Sequence, residues 1–410
     1  MLLEFDGLEY YVNRSSKDVP LALESSSSKR HRLSSPIRSR LGKASKTNNY
    51  DAGIDAVRFV AFLLVFIHHF VYLGGNSISE FPNTYWVNPY IDSVARFGAE
   101  GVTIFFCLSG YLLSKLLIKE LSDTGNISIR SFYIRRVLRI WPLYFAFIGF
   151  CLLAAPLLGN QTIKTTELPS LISFTYNWQQ IFTGQSRGMA AILWSISIEE
   201  QIYLVLPILL LVFFKIGNKK LPIFLIFIGF LSRCFLFINE MAIYRNTFSY
   251  FSTVGIGMFY AINENKIKLW YRRNKLTVNF IFSSLIVIYI LLFKSFFSKG
   301  FSNVIAFDLT ALVAIFLLIM LGEENGKLKG TLLKPFSYLG RRSYGMYIYH
   351  WPILGLMVSK KIFFNVTTGI SIGGLIFAFA LVTATSTISY HFFEKPFLDL
   401  RRRYQYIKLG

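Results

Sequence analysis

Residues 53–72 read GIDAVRFVAFLLVFIHHFVY, an apolar stretch that carries residues seldom found in lipid. Arg58 lies near its start, and the pair His68 and His69 lies near its end. If the stretch is a helix, the eleven steps from Arg58 to His69 turn the chain by ~1100°, so the two side chains lie about 20° apart around the axis and ~16 Å apart along it. His68, one residue earlier, points elsewhere. The stretch therefore predicts a membrane-spanning helix with a cation and a titratable base on one face.

Two interpretations of these residues are open. Arg58 can extend its side chain to the lipid headgroups, as long cationic side chains near helix ends do, and His69 can cap the helix at the far interface. Ionisable side chains inside spans more often face a cavity or a partner, and this favours a functional role for His69.

The composition indicates a polytopic membrane protein of the all-α class. Of the 410 residues, 53% are hydrophobic and 17% are aromatic, which is more apolar surface than a soluble domain of this size needs. The net charge of +21 raises the possibility of nucleic-acid binding, but the basic residues fall in short clusters between apolar segments, so we predict no nucleic-acid partner. The three cysteines lie inside apolar segments and predict neither a disulfide framework nor a metal site.

Hydropathy predicts about ten transmembrane helices. The predicted spans are approximately 53–73, 98–118, 138–157, 192–214, 221–238, 248–263, 277–293, 304–321, 342–358 and 368–392. The sixth and the ninth are short, which suits helices sheltered by protein rather than by lipid. The loop at about 158–191 is long and contains aromatic residues, so it could be a re-entrant or interfacial segment that closes over a cavity.

Basic residues in alternate loops predict the orientation of these spans. Four alternate loops carry clusters of Lys and Arg, whereas the other loops carry at most two such residues each. The clusters are Arg130, Arg135, Arg136 and Arg139; Lys215, Lys219 and Lys220; Lys266, Lys268, Arg272, Arg273 and Lys275; and Lys327, Lys329, Lys334, Arg341 and Arg342. By the positive-inside rule we predict that both termini are cytoplasmic.

The pattern of charge and hydropathy divides the chain into three segments. Residues 1–50 are polar, Ser-rich and basic, without an apolar core of signal-peptide length, so they predict a disordered cytoplasmic arm able to touch anionic lipid. Residues 51–397 form the predicted transmembrane domain. Residues 398–410 form a short basic cytoplasmic tail that contains Arg401, Arg402 and Arg403.

The entry of the third span, YIRRVLRIWP at residues 133–142, is rich in arginine. Arg136 and Arg139 are three residues apart and Arg135 lies four residues before Arg139, so in a helix all three can converge on one side. A planar guanidinium donates paired hydrogen bonds to oxyanions, which suits phosphate. Taken alone, the cluster is more typical of a positive-inside loop than of a binding site.

Further ionisable residues lie inside predicted spans. Glu199 and Glu200 are adjacent carboxylates in the fourth span, where carboxylates are costly. One of them could pair with Arg233, and the other could orient a histidine, as carboxylates do in acyl-transfer sites. Asp308 is a weaker candidate for the same role. His350 lies two residues before a proline, and this position is more typical of a hydrogen-bonded packing residue.

Six landmarks occur in order along residues 53–397. They are Arg58 followed by His69, GVTIFFCLSG at 101–110, the pair Arg136 and Arg139, WSISIE at 194–199, YIYHWP at 347–352 and FEKPF at 393–397. With these landmarks the sequence resembles the membrane acyltransferase family known as acyltransferase type 3. Thr103 departs from the family pattern, in which many members have Asp after Gly-Val.

The resemblance implies a multi-span O-acyltransferase of the plasma membrane, or of the inner membrane in a bacterium. Such an enzyme takes an acyl group, usually acetyl, from cytoplasmic acyl-coenzyme A and passes it to a hydroxyl of an extracytoplasmic glycan or lipid-linked sugar. On this interpretation Arg58, Arg136 and Arg139 bind the donor, and His69 and Glu199 are catalytic. His69 would act as a general base or, in a less favoured variant, as a carrier of the acyl group, and Glu199 could orient it.

A carrier or flippase for a sugar or small molecule is the alternative, because it would also place buried charges around a central cavity. A non-catalytic sensor or scaffold of similar fold is a third possibility. Arginines at the cytoplasmic mouth, with His69 and Glu199 towards the outer side, favour the enzyme. That arrangement suits a donor held partway through the membrane.

Overall fold

The computed structural model describes residues 52–73, 88–154, 163–184, 188–215, 220–293, 300–322, 327–360, 362, 364–365, 369–370 and 372–404. The chain divides into the units Met1–Thr47 and Asn48–Gly410, and all the described residues belong to the second. The arm predicted at residues 1–50 lies outside the described residues, and so does the end of the predicted tail.

The described chain is helical almost throughout. Its first helices are α1 (Ala52–Leu73), α2 (Asn88–Phe97), α3 (Gly101–Thr124), α4 (Ile129–Leu153), α5 (Leu168–Ile172), α6 (Tyr176–Thr183), α7 (Trp194–Lys215) and α8 (Leu221–Ile238). The remaining helices are α9 (Phe251–Arg273), α10 (Lys275–Leu292), α11 (Ser302–Gly322), α12 (Lys327–Gly340), α13 (Ser343–Ser359), α14 (Ile372–Ser389) and α15 (Lys395–Arg402). Within the described ranges the strands are one antiparallel pair of two residues each, β1 (Phe364–Asn365) and β2 (Gly369–Ile370). The predicted all-α class is confirmed.

Eight helical segments in the described part of the chain are long and apolar enough to cross a membrane. They are Ala52–Leu73, Ser93–Thr124, Ile129–Leu153, Ala191–Phe213, Leu221–Ile238, Lys275–Leu292, Ser302–Gly322 and Ile372–Arg402. Each overlaps one of the ten predicted spans. The prediction of a multi-pass integral membrane protein is thereby confirmed.

The other two predicted spans, the sixth and the ninth, are also helices, but they are not among the eight that are long and apolar enough to cross a membrane. The sixth corresponds to α9, which continues past the predicted end at 263 to Arg273. Glu264 in this extension forms ion pairs with Lys115 at 2.8 Å and with Lys268 at 2.7 Å, and such pairs stabilise a polar continuation of a helix. The ninth corresponds to α13, which has 17 residues and is largely buried in protein, as its short length predicts.

A capped turn sets where α4 begins. Gly125 ends α3 with a left-handed φ of 72°, and its N–H donates to the carbonyl of Leu121 at 2.8 Å. Ser128 then caps α4 by accepting a hydrogen bond from the backbone of Ser131. The helix therefore starts at Ile129, well before the predicted 138, and the arginine-rich entry lies within its first four turns.

Helix α1 is central, since it packs against α3, α11, α12 and α13. Lipid tails are as apolar as the side chains, so helices in a membrane associate through close packing, for which small residues are needed. The contact between α3 and α9 shows this. A Cβ added at Gly110 would lie 2.4 Å from the carbonyl oxygen of Val254, and one at Gly257 would lie 2.2 Å from that of Cys107.

The orientation of the bundle stays a prediction, and two exposed positions can test it. Single cysteines placed at Thr165 and at Trp270, in a chain whose three native cysteines are replaced, should label differently. We expect position 165 to react with a membrane-impermeant maleimide on intact cells and position 270 to react only after permeabilisation, because the positive-inside rule places them on opposite sides. Labelling in the reverse pattern would show that the orientation is wrong.

Candidate functional site

A cavity that is partly open to the outside lies between α1, α3, α4, α7 and α13, and its empty space, together with the adjoining open solvent, is about 810 Å³. Along α3 its lining runs from Val102 to Leu113, a distance of ~16 Å at the rise of a helix. This is about half the thickness of the hydrocarbon core of a bilayer. The cavity is therefore long enough to hold an extended ligand over about half the thickness of that core.

Three arginines line this cavity, and they are the three that the sequence predicts as donor-binding. Arg58 pairs with Asp55 at 3.6 Å. The guanidinium of Arg136 lies 5.2 Å from the ring centroid of Tyr203, and its buried Nε has no hydrogen-bond partner. Arg139 makes neither a hydrogen bond nor an ion pair within the described residues. Glu199 is the carboxylate among the lining residues, so the cavity carries excess positive charge and unused donors.

Arg135 does not join the other three. Its guanidinium donates to the carboxylate of Glu120 at 3.3 Å and to the carbonyl of Tyr404 at 2.8 Å, and it is not among the lining residues. The prediction that it could converge with Arg136 and Arg139 is therefore wrong. The carboxylate of Glu120 also accepts a hydrogen bond from the backbone of Ser128, so the turn between α3 and α4 holds this carboxylate within reach of Arg135.

Arg401 is an arginine near the cavity that sequence reasoning did not place there. It lies on α15, which packs against α4. Its buried Nε has no hydrogen-bond partner, and it lies within electrostatic range of Arg58, Arg136 and Arg139. Four guanidinium groups thus share one region of the protein. Such a cluster repels itself unless an anion lies between its members.

Glu199 lies in the arginine-lined cavity. Its carboxylate accepts hydrogen bonds from the hydroxyls of Ser109, at 3.1 Å, and Tyr203. No hydrogen bond within the described residues joins it to His69, and its role in orienting that histidine stays a prediction. The neighbouring Glu200 accepts a hydrogen bond from the indole of Trp141 at 3.1 Å and keeps one buried oxygen without a partner.

Neither carboxylate pairs with Arg233. That arginine is fully buried and pairs with Asp308 at 2.6 Å, and it also donates to Ser252 and to the carbonyls of Ser249 and Val304. The prediction of a pair between Arg233 and Glu199 or Glu200 is wrong. Asp308 is engaged in this structural network, where it stabilises a buried charge.

His69 makes its hydrogen bond with a second histidine. His69 Nδ1 lies 2.8 Å from Nε2 of His350 on α13. The two rings are nearly parallel and meet edge to edge, with centroids 5.0 Å apart. The ring of Trp351 stands edge-on to His69 at 4.9 Å. His68, as predicted, points elsewhere, and its Nδ1 lies 2.8 Å from the carbonyl oxygen of Ala95. His350 is fully buried, whereas His69 is only partly so.

Tyr347 connects the cavity to the histidine pair. Its side chain lines the cavity, where its hydroxyl lies 2.7 Å from that of Ser195. Its backbone carbonyl lies 2.5 Å from His350 Nδ1. One residue thus touches both the arginine-lined cavity and the partner of His69, so a ligand bound along the cavity would end close to the pair.

The described residues of the segment predicted to close over a cavity, 163–184 and 188–191, include short helices. The indole of Trp351 donates to the carbonyl of Gly188 at 3.0 Å, which attaches this segment to α13. Trp178 in α6 donates to Gln201 at 3.1 Å, and Asn177 donates to Thr247 at 3.0 Å. These described residues therefore contact α13, α7 and the turn before α9.

A family model for an acyltransferase domain matches residues 51–391 of the chain. The chain belongs to the acyltransferase type 3 family. The match begins before α1 and ends within the turn that joins α14 to α15, so it includes Arg58, His69 and the whole of the cavity described above.

The chain is similar to curated proteins that are named as O-acetyltransferases or putative O-acetyltransferases. Peptidoglycan O-acetyltransferase OatA of Listeria monocytogenes is 27% identical over 334 residues, which are 76% of this chain and 50% of the relative. Putative O-acetyltransferase SACOL0978 of Staphylococcus aureus is 27% identical over 86% of this chain and 58% of its own length. Putative peptidoglycan O-acetyltransferase YrhL of Bacillus subtilis is 24% identical over 85% and 55% respectively. The chain thus spans about half the length of these relatives. No solved structure matches it significantly.

Sequence reasoning also did not predict that His350 contacts His69. The available signal was its place in the YIYHWP landmark, in a short span that hydropathy predicts to be sheltered by protein. A buried histidine beside a proline is usually a packing residue, and only the structure shows which side chain it bonds.

Proposed function

We propose that this chain is an integral-membrane O-acetyltransferase. It takes an acetyl group from cytoplasmic acetyl-coenzyme A and transfers it to a hydroxyl of an extracytoplasmic cell-wall glycan. The observation that carries the proposal is the deep cavity with three arginines along it and the histidine pair near its end. Family membership and relatives named peptidoglycan O-acetyltransferases support the reaction and the kind of acceptor.

The donor fits the residues that line the cavity. Coenzyme A carries a diphosphate and a ribose phosphate on one end and supplies the acyl group, activated as a thioester, at the end of a long arm. Arg136 and Arg139 have free donors suited to phosphate oxygens, and Arg58 adds a third guanidinium on α1. The arm would lie along α3 towards Tyr347, which places the reacting carbon near His69.

His69 supplies the acid–base chemistry. As the acceptor hydroxyl attacks the thioester carbonyl, its oxygen forms the new C–O bond and its proton passes to the imidazole of His69. The C–S bond then breaks, and the proton returns from His69 to the departing thiolate. A positioned general base of this kind contributes roughly 10²–10⁴-fold to the rate. The arginines bind the donor, and His69 moves the proton.

The acceptor would approach from the side of the folded segment that Trp351 attaches to α13. Aromatic rings line this region, since Trp351 contacts His69 and Tyr72 stacks on His68. Flat aromatic faces suit the apolar faces of sugar rings. The acceptor on this proposal is a glycan or a lipid-linked sugar, bound at the end of the cavity that lies away from Arg58, Arg136 and Arg139.

The direct test uses purified protein in detergent with radiolabelled acetyl-coenzyme A and soluble peptidoglycan fragments. We expect label to move into the glycan as an ester, released by mild alkali, since acylation of a hydroxyl gives an alkali-labile bond. Label that resists alkali would indicate transfer to nitrogen. Absence of label in the glycan, from folded protein that binds coenzyme A, would contradict the proposed function.

Arg401 gives a sharper prediction about the donor. It lies outside the cavity lining but within range of the other arginines, so on this proposal it contacts the outermost phosphate, the ribose 3′-phosphate. Arg401→Ala should weaken binding of acetyl-coenzyme A by roughly 10-fold, the effect of one charge-assisted hydrogen bond. It should leave binding of the 3′-dephospho analogue unchanged. Equal losses for the two ligands, measured by calorimetry, would exclude this contact, and Arg402→Ala on the exposed face of α15 is the control.

A further inference from the structure

The histidine pair has a proton arrangement that can be assigned from its contacts. His350 Nδ1 lies 2.5 Å from the backbone carbonyl oxygen of Tyr347. A carbonyl oxygen only accepts hydrogen bonds, so the hydrogen must be on His350 Nδ1. No carboxylate bonds to His350 within the described residues, and a fully buried charge without a counter-charge is costly, so the ring is neutral. Its Nε2 is therefore an acceptor.

This assignment fixes the tautomer of His69. His350 Nε2 can only accept, so the hydrogen in the 2.8 Å contact belongs to His69 Nδ1. A neutral His69 then carries its lone pair on Nε2, the nitrogen turned away from His350. Because His69 is partly exposed and His350 is fully buried, Nε2 of His69 is the basic nitrogen that a substrate can reach.

We propose that His350 is a positioning residue that holds His69 in the Nδ1–H tautomer and aims its Nε2 at the acceptor hydroxyl. This inference rests on the proposed function. When His69 takes the proton of the acceptor, its Nδ1–H becomes a charge-assisted donor to His350 Nε2, and the Tyr347 carbonyl holds His350 in place. In other general-base sites a carboxylate fills this position. In this protein a neutral imidazole fills it, which avoids placing a second charge in the bundle.

Two substitutions separate this role from packing. His350→Phe keeps a flat ring beside His69 and in the edge contact with Phe62, but it removes the acceptor. His350→Gln keeps an acceptor oxygen at about the position of Nε2. We expect kcat to fall roughly 10²–10⁴-fold in His350→Phe, with the KM for acetyl-coenzyme A unchanged, and to recover by at least 10-fold in His350→Gln. Phe and Gln variants with equal kcat would overturn the inference.

A spectroscopic measurement tests the same inference without activity. The chain has five histidines, so ¹⁵N-histidine solid-state NMR of the full protein in lipid is tractable, and the His69→Gln spectrum identifies the signals of His69. We expect His69 to be protonated at Nδ1 in the wild type and to lose this preference in His350→Phe. A wild-type His69 protonated at Nε2 would overturn the inference even if acyl transfer is observed. If no transfer is observed but the Nδ1–H tautomer is found, the proposed function fails and the assignment of the pair stands.

Discussion

His69→Ala should lose acetyl transfer by roughly 10²–10⁴-fold while it binds coenzyme A as tightly as the wild type, because it removes the general base and leaves the arginines in place. The structure explains why the variant should lose transfer and keep coenzyme A binding. His69 lies ~16 Å along α1 from Arg58, and it is not among the residues that line the cavity. The test is to measure the rate of acetyl transfer and the affinity for coenzyme A on the same detergent preparation of each protein.

The adjacent histidine is the matched control. His68→Ala removes the same side chain one residue earlier, but His68 bonds to the carbonyl of Ala95 and not to His350. We expect its transfer rate to stay within a few-fold of the wild type. An active His69→Ala variant, or an inactive His68→Ala variant that still binds coenzyme A, would contradict the assignment of the base.

The second large effect is expected from the arginines of α4. Arg136→Ala combined with Arg139→Ala should weaken coenzyme A binding by roughly 10²-fold or more, because each loses a charge-assisted contact of about 1.5–3 kcal/mol. At saturating donor the remaining kcat should fall much less than in His69→Ala. Calorimetric titration with coenzyme A measures the loss of affinity, and the dependence of rate on donor concentration measures the remaining kcat.

Arg135→Ala is the control for this double substitution. It lies on the same turn of α4 as Arg136, yet it pairs with Glu120 and Tyr404 and lies away from the cavity. We expect its affinity for coenzyme A to stay within about twofold of the wild type. A loss equal to that of the double variant would mean that the overall positive charge of the region binds the donor, and that the cavity does not.

Much of the fold could be predicted because helices in lipid follow two simple rules. Length and hydropathy locate the spans, and the 3.6-residue period gives the face on which each side chain lies. The second rule predicted that Arg58 and His69 share a face and that Arg136 and Arg139 point together. Both arginines of that pair line the cavity with Arg58 and Glu199.

The rest depends on contacts between distant residues, which no local pattern contains. His69 and His350 are 281 positions apart, and their hydrogen bond exists because α1 packs against α13. Arg135 satisfies the same periodicity as its neighbours, but Glu120 across the preceding turn binds it. Arg401 has the sequence context of an ordinary positive-inside tail, and only the packing of α15 on α4 brings it near the site.

On the proposed function, one membrane domain carries an acetyl group from a donor on one side to a hydroxyl on the other. Proteoliposomes of the purified chain, with peptidoglycan fragments sealed inside and radiolabelled acetyl-coenzyme A added outside, test it most directly. We predict alkali-labile label on the enclosed glycan, lost in His69→Ala vesicles of equal protein content. Glycan that leaves the vesicles without coenzyme A, and that carries no label when coenzyme A is present, would contradict the claim and indicate a carrier.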